Sequence, residues 1–105
     1  MEKDLKISIL LDFYGDLLTE KQFNCTDLYY NEDFSLSEIS EHEGITRQGV
    51  RDSIEHAKEQ LYRYEEKLQL LKKQKQVSEI AKKMKSLAGQ NEKLIKLIDK
   101  LTDIQ

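Results

Sequence analysis

Three groups of side chains in this sequence have types and spacings that suit chemistry, and the chemistry is binding rather than bond-breaking. The first is Thr46, Arg47, Gln48 and Arg51. A guanidinium grips guanine through two parallel hydrogen bonds, and a carboxamide does the same for adenine, so this set suits base edges and phosphates. The second is Lys72, Lys73 and Lys75, followed by Lys82, Lys83 and Lys85. Such a run suits the sugar–phosphate backbone of RNA, and its bland reading is a solvated helix face. No aromatic residue follows Tyr64, so that region lacks a stacking platform for single-stranded bases. The third group is His42, His56 and Cys25, which are isolated from one another. No Gly-rich phosphate loop and no pairing of a nucleophile with a base accompanies them. A single cysteine forms no internal disulfide and reads as a small core residue of a cytoplasmic protein. No catalytic site, metal or cofactor is expected.

These groups sit on a chain whose two halves carry opposite charge. Met1 to Glu66 holds 16 acidic and 7 basic residues, a net of -9, whereas Lys67 to Gln105 holds 4 acidic and 10 basic, a net of +6. The first half repels polyanions, and the second attracts RNA, an acidic protein surface or the acidic half of another copy. With 35% charged residues, no proline and no tryptophan, the composition favours an all-α fold. The apolar runs, such as Ile9 to Leu11, are too short to cross a bilayer, and neither membrane insertion nor a signal peptide is expected.

The elements that must position the first group can be read from spacing and caps. Ile7, Leu10, Leu11, Tyr14, Leu17 and Leu18 recur at helical steps, predicting a first helix over about Lys3 to Leu18. Thr19 with Gln22, and Ser35 with Glu38, are capping-box pairs that open a second and a third helix. Gly44 supplies the positive φ that ends the short third helix, and Thr46 caps a fourth. On that fourth helix Val50, Ile54, Ala57 and Leu61 form one inward stripe, leaving Arg47, Gln48 and Arg51 outward. Short helix, glycine turn and longer helix is the plan of a helix-turn-helix.

The second group lies in the C-terminal third of the chain. The fourth helix is expected to run on through Tyr64, Leu68 and Leu71, with Lys72 to Gln76 as a kink, a bend or a solvated interruption. Gly89 reads as a helix end, and Asn91 as the cap of a last amphipathic helix. Leu61, Leu68, Leu71, Val77, Ile80 and Met84 form a stripe longer than a small body covers, which points to docking or to a homodimer. The expected division is a helix-turn-helix domain over 1–66 and basic amphipathic helices over 67–105.

The segments Leu17 to Gln22, Leu28 to Ile39 and Thr46 to Asp52 together resemble region four of bacterial sigma factors. With Leu11-Asp12-Phe13-Tyr14 ahead and Tyr64 to Leu68 behind, the whole resembles the YlxM family of small bacterial helix-turn-helix proteins, encoded beside signal recognition particle genes. The resemblance implies a sigma region four-like bundle with a helical extension. It also implies a role in, or regulation of, protein targeting by the particle. Cys25 and Thr26 stand where larger apolar residues are expected, Glu43 where an apolar residue precedes the turn glycine, and Gly49 where alanine is usual.

Two functions remain open on these residues. One is a non-catalytic adaptor or regulator that meets the RNA or the GTPase of the particle through its basic helices. The other is a transcriptional regulator reading DNA through Arg47, Gln48 and Arg51. Against the second stand Asp52, Glu55 and Glu59 on the same helix and Glu38, Glu41 and Glu43 around it, since DNA binders draw much affinity from phosphate neutralisation. Binding of the sigma-like element to transcription machinery is a third possibility.

Overall fold

The computed structural model describes residues 3–104, and all regular structure among them is helical. The chain divides into two compact units, 1–68 and 69–105.

The first unit contains α1 (Lys6–Tyr14), a 3₁₀ turn (Gly15–Leu17), α2 (Glu20–Tyr30), α3 (Leu36–Glu43) and α4 (Arg47–Leu68). Helix α4 is its spine, and α1, α2 and α3 all pack on it. The predicted stripe explains why: Val50, Ile54, Ala57 and Leu61 are fully buried, together with Ile7 and Leu10 of α1 and Ile39 of α3. Both capping boxes form. Thr19 accepts from the Gln22 N–H while Gln22 accepts from the Thr19 N–H, each at 3.2 Å. Ser35 and Glu38 make the same exchange at 3.0 and 3.1 Å. The Ser35 N–H at its carboxylate holds Glu38 below the usual carboxylate range.

The first helix ends earlier than its spacing predicts. From Gly15 the backbone tightens to a 3₁₀ turn, which advances each residue further around the axis than an α-helix does. The register is therefore lost, and Leu17 points outward and is exposed. Gly15 is required there for space, because an added Cβ would lie 2.8 Å from the Phe23 ring. In α2 the inward positions belong to Cys25 and Thr26, both fully buried. The Thr26 hydroxyl donates to the Gln22 carbonyl at 2.7 Å, so a polar side chain is accommodated without an unmet hydrogen bond.

The second unit is a hairpin of α5 (Leu70–Ala88) and α6 (Glu92–Asp103). Asn91 caps α6, accepting from the Leu94 N–H at 3.1 Å. The break before this hairpin falls at Gln69, which adopts a left-handed φ of 55°. Lys72 to Gln76, by contrast, is uninterrupted helix, so its polar character reflects solvation and not a bend. The expected continuation of α4 into Leu71 is thereby corrected. The predicted Leu61-to-Met84 stripe is divided as well. Leu61 is 0% exposed and Leu71 is buried, so neither is available to a second copy, whereas Leu68, Ile80 and Met84 are exposed and Val77 is half-buried. No helix among the described residues is long and apolar enough to cross a membrane.

Candidate nucleic-acid interface

The turn between α3 and α4 fixes the first candidate surface. Gly44 takes the left-handed conformation, with φ 68° and ψ 33°, and its N–H bonds the Ser40 carbonyl. The Ile45 N–H reaches the same carbonyl at 3.2 Å, and the Ser40 hydroxyl donates back to the Ile45 carbonyl. Thr46 then caps α4, its hydroxyl oxygen accepting from the Gly49 N–H at 2.9 Å. Side-chain and backbone hydrogen bonds thus hold the turn closed and fix the direction in which α4 starts.

Arg47, Gln48 and Arg51 project from this start, and all three are exposed with Thr46. They meet Ser35, Leu36 and Ser37 of the α3 N-terminus around an open cleft of about 430 Å³. An Arg47 guanidinium nitrogen lies 3.5 Å from the Ser37 hydroxyl. The two serines are site residues that the sequence reading misses. The signal for them is the helix-turn-helix pattern itself, which sets the start of the short helix beside the start of the longer one. The carboxamide of Gln48 is already engaged, its Nε2 donating to Asp52 Oδ1 at 2.9 Å. That contact occupies one donor that adenine recognition would use and sets a carboxylate beside the cleft.

Gly49 sits one residue inside this surface. An added Cβ would come within 3.2 Å of the Thr46 hydroxyl oxygen. The equivalent position of the two capping boxes in this chain carries Gln22 and Glu38, so a Cβ and a capping oxygen coexist in this geometry. Gly49→Ala is therefore expected to stabilise the first unit by up to about 1 kcal/mol through helix propensity, measured by equilibrium denaturation.

The remaining candidates resolve simply. His42 and His56 are exposed, and Cys25 is buried. Burial pushes the Cys25 thiol up, and the nearby Glu43 carboxylate adds to this, so the reactive thiolate is disfavoured. Glu43 itself is partly buried, with one oxygen 3.6 Å from His42 Nδ1, and it borders a shallow recess with Lys21, Asn24 and Ile45. Its carboxylate thus keeps access to solvent and a neighbouring ring. Among the described residues no three metal-ligating side chains gather.

The second candidate surface is on α5, where all six predicted lysines are exposed. Helical spacing brings four of them together: Lys72, Lys75, Lys82 and Lys83, at intervals of 3, 7 and 1, share one broad face with Glu79. Lys85 and Lys73 do not join it. Lys85 turns toward α6 and pairs with Asp99 at 2.5 Å, while Lys73 lies on the opposite edge of the helix.

Comparison with known proteins agrees with this architecture. The family described as "Putative helix-turn-helix protein, YlxM / p13 like" matches residues 1–101. A UPF0122 protein of Clostridium perfringens is 45% identical over 98% of this chain and 92% of its own length. One from Clostridium kluyveri is 52% identical over 75% of this chain and 71% of its own. A third, from Halalkalibacterium halodurans, is 41% identical across 100% of this chain and 99% of its own. With the helix-turn-helix built as described and likeness extending through the basic hairpin, the chain belongs to the UPF0122 family of YlxM/p13-like helix-turn-helix proteins.

Proposed function

We propose that this protein is a non-catalytic, cytoplasmic regulator in the signal recognition particle pathway of protein targeting, and that it contacts the RNA of the particle through the lysine face of α5. The pathway comes from the YlxM resemblance. The contact is carried by one observation: four exposed lysines share one face of a helix that holds a single acidic residue, in the basic half of an otherwise acidic chain. A duplex backbone is a line of phosphates, and a row of cations on a straight helix matches it through counterion release without reading bases.

A second reading is favoured by the α3–α4 cleft, where Arg47, Arg51, Ser35 and Ser37 surround a space open to a DNA backbone. The Gln48–Asp52 bond and the acidic surround weigh against it. Replacing Arg47 and Arg51 by Ala separates the two. The double variant is expected to bind particle RNA within about twofold of the parent, as neither arginine belongs to the α5 face. A loss of RNA binding comparable to that of lysine variants, or a parent that binds duplex DNA in preference to RNA, would assign the contact to the cleft instead.

A further inference from the structure

The hairpin of α5 and α6 leaves a whole side uncovered. Ile80, Met84 and Leu87 of α5 recur at steps of four and three, and all are exposed, Leu87 at 89%. Leu94, Leu97, Leu101 and Ile104 of α6 recur at steps of three, four and three, again exposed, with Leu97 at 61% and Ile104 at 78%. The phases of the two antiparallel helices put both rows on the same side. Buried Ala81 and Ile98 mark the seam between the helices, and the Lys85–Asp99 pair marks the opposite side. One side is thus apolar from Ile80 of α5 around to Ile104 of α6.

We infer that this side is the interface with a second copy of the same chain, forming a four-helix bundle across a two-fold axis. Three observations select that occupant. Only Leu71, Ala81 and Ile98 are buried among the apolar residues of this unit, too few to hold two amphipathic helices in water without a further layer. The exposed rows amount to roughly 600 Å² of apolar surface per chain, at the upper end of what monomers leave bare, and doubling it reaches the lower end of the range for a stable dimer interface. Charge is also compatible with self-association, because Lys72, Lys75, Lys82 and Lys83 project from the opposite side and outer edge of the hairpin. Two positively charged hairpins would thus meet on apolar ground, with the exposed Lys83, Lys93 and Lys100 along its outer edges and Lys73 two turns before Ile80. This inference is independent of whether the lysine face binds RNA, and it leaves that face uncovered in each copy.

The test is sedimentation equilibrium of the full-length chain. The parent is expected to dimerise at micromolar concentration, at twice the 12.4 kDa chain mass. Leu97→Glu with Leu101→Glu is expected to raise the dimer dissociation constant by at least about 30-fold, the effect of losing a central contact. Leu97→Ala with Leu101→Ala raises it less while keeping α6 helical, which far-UV circular dichroism checks. Lys82→Glu leaves it unchanged. A parent that stays monomeric well above micromolar concentration, an undiminished dimer in both leucine variants, or a parent that is monomeric and sediments with anionic phospholipid vesicles would each overturn the inference.

Discussion

Replacing Lys75, Lys82 and Lys83 together by Gln is expected to weaken binding to signal recognition particle RNA by roughly 10- to 100-fold at physiological salt. The reason is electrostatic. Each lysine that meets a phosphate releases condensed counterions, and each contact adds about 0.7 to 0.9 to the slope of log affinity against log salt. The triple variant should therefore show a slope smaller by about 2 to 3. These lysines are exposed on α5, and Gln keeps helix propensity close to that of Lys, so the fold should be unchanged. Fluorescence anisotropy across a series of salt concentrations measures both quantities. A fall in affinity with an unchanged slope would mean that the lysines act through something other than phosphate contact.

Leu61→Ala is expected to destabilise the first unit by about 2 to 5 kcal/mol, which is a large part of the stability of a domain this size. Leu61 is fully buried, and truncation leaves a cavity that close-packed neighbours fill only in part. Leu5→Ala is the contrasting case. Leu5 is 79% exposed, and its loss should change stability by no more than about 0.5 kcal/mol. Urea denaturation followed by circular dichroism compares the two. The pair also tests the assignment of Leu61 to the core, because a residue in an exposed dimerisation stripe would lose stability only through association and in proportion to protein concentration.

Much of the first unit is legible in the sequence because its signals are local. A capping box is a four-residue pattern whose hydrogen bonds close within one turn, and Thr19 with Gln22 and Ser35 with Glu38 form as their residue types require. Gly44 is legible for the same reason, as is the outward placement of Arg47, Gln48 and Arg51 once Val50, Ile54, Ala57 and Leu61 fix the inner face. The break at Gln69 is not. Glutamine is a good helix former, and apolar residues on either side keep helical spacing, so nothing in its neighbourhood announces a left-handed residue. The polar stretch from Lys72 to Gln76 draws attention instead, although polarity alone breaks no helix.

The candidate site is legible in part and for a related reason. Residue types identify the cations, but their grouping depends on which helix face each occupies and on what lies across from it. Lys85 reads as one of six equivalent lysines until α6 folds back and brings Asp99 to it. Ser37 carries no signal of its own until the turn at Gly44 brings α3 beside Arg47. Cys25 and Thr26, by contrast, look like a weakness in α2, yet the Thr26 hydroxyl finds the Gln22 carbonyl and both side chains fit the core. Small residues there reflect close packing of α2 on α4 and not a poor core.

The central claim is that the basic α5 face meets the RNA of the targeting particle, and the most direct measurement is a salt-controlled titration of the purified protein against that RNA and against random duplex DNA. Binding to the RNA at physiological salt, tighter than to the duplex and with a slope that falls when Lys75, Lys82 and Lys83 are replaced, is the predicted result. Tighter binding to the DNA duplex, or RNA binding that ignores those lysines, would contradict it.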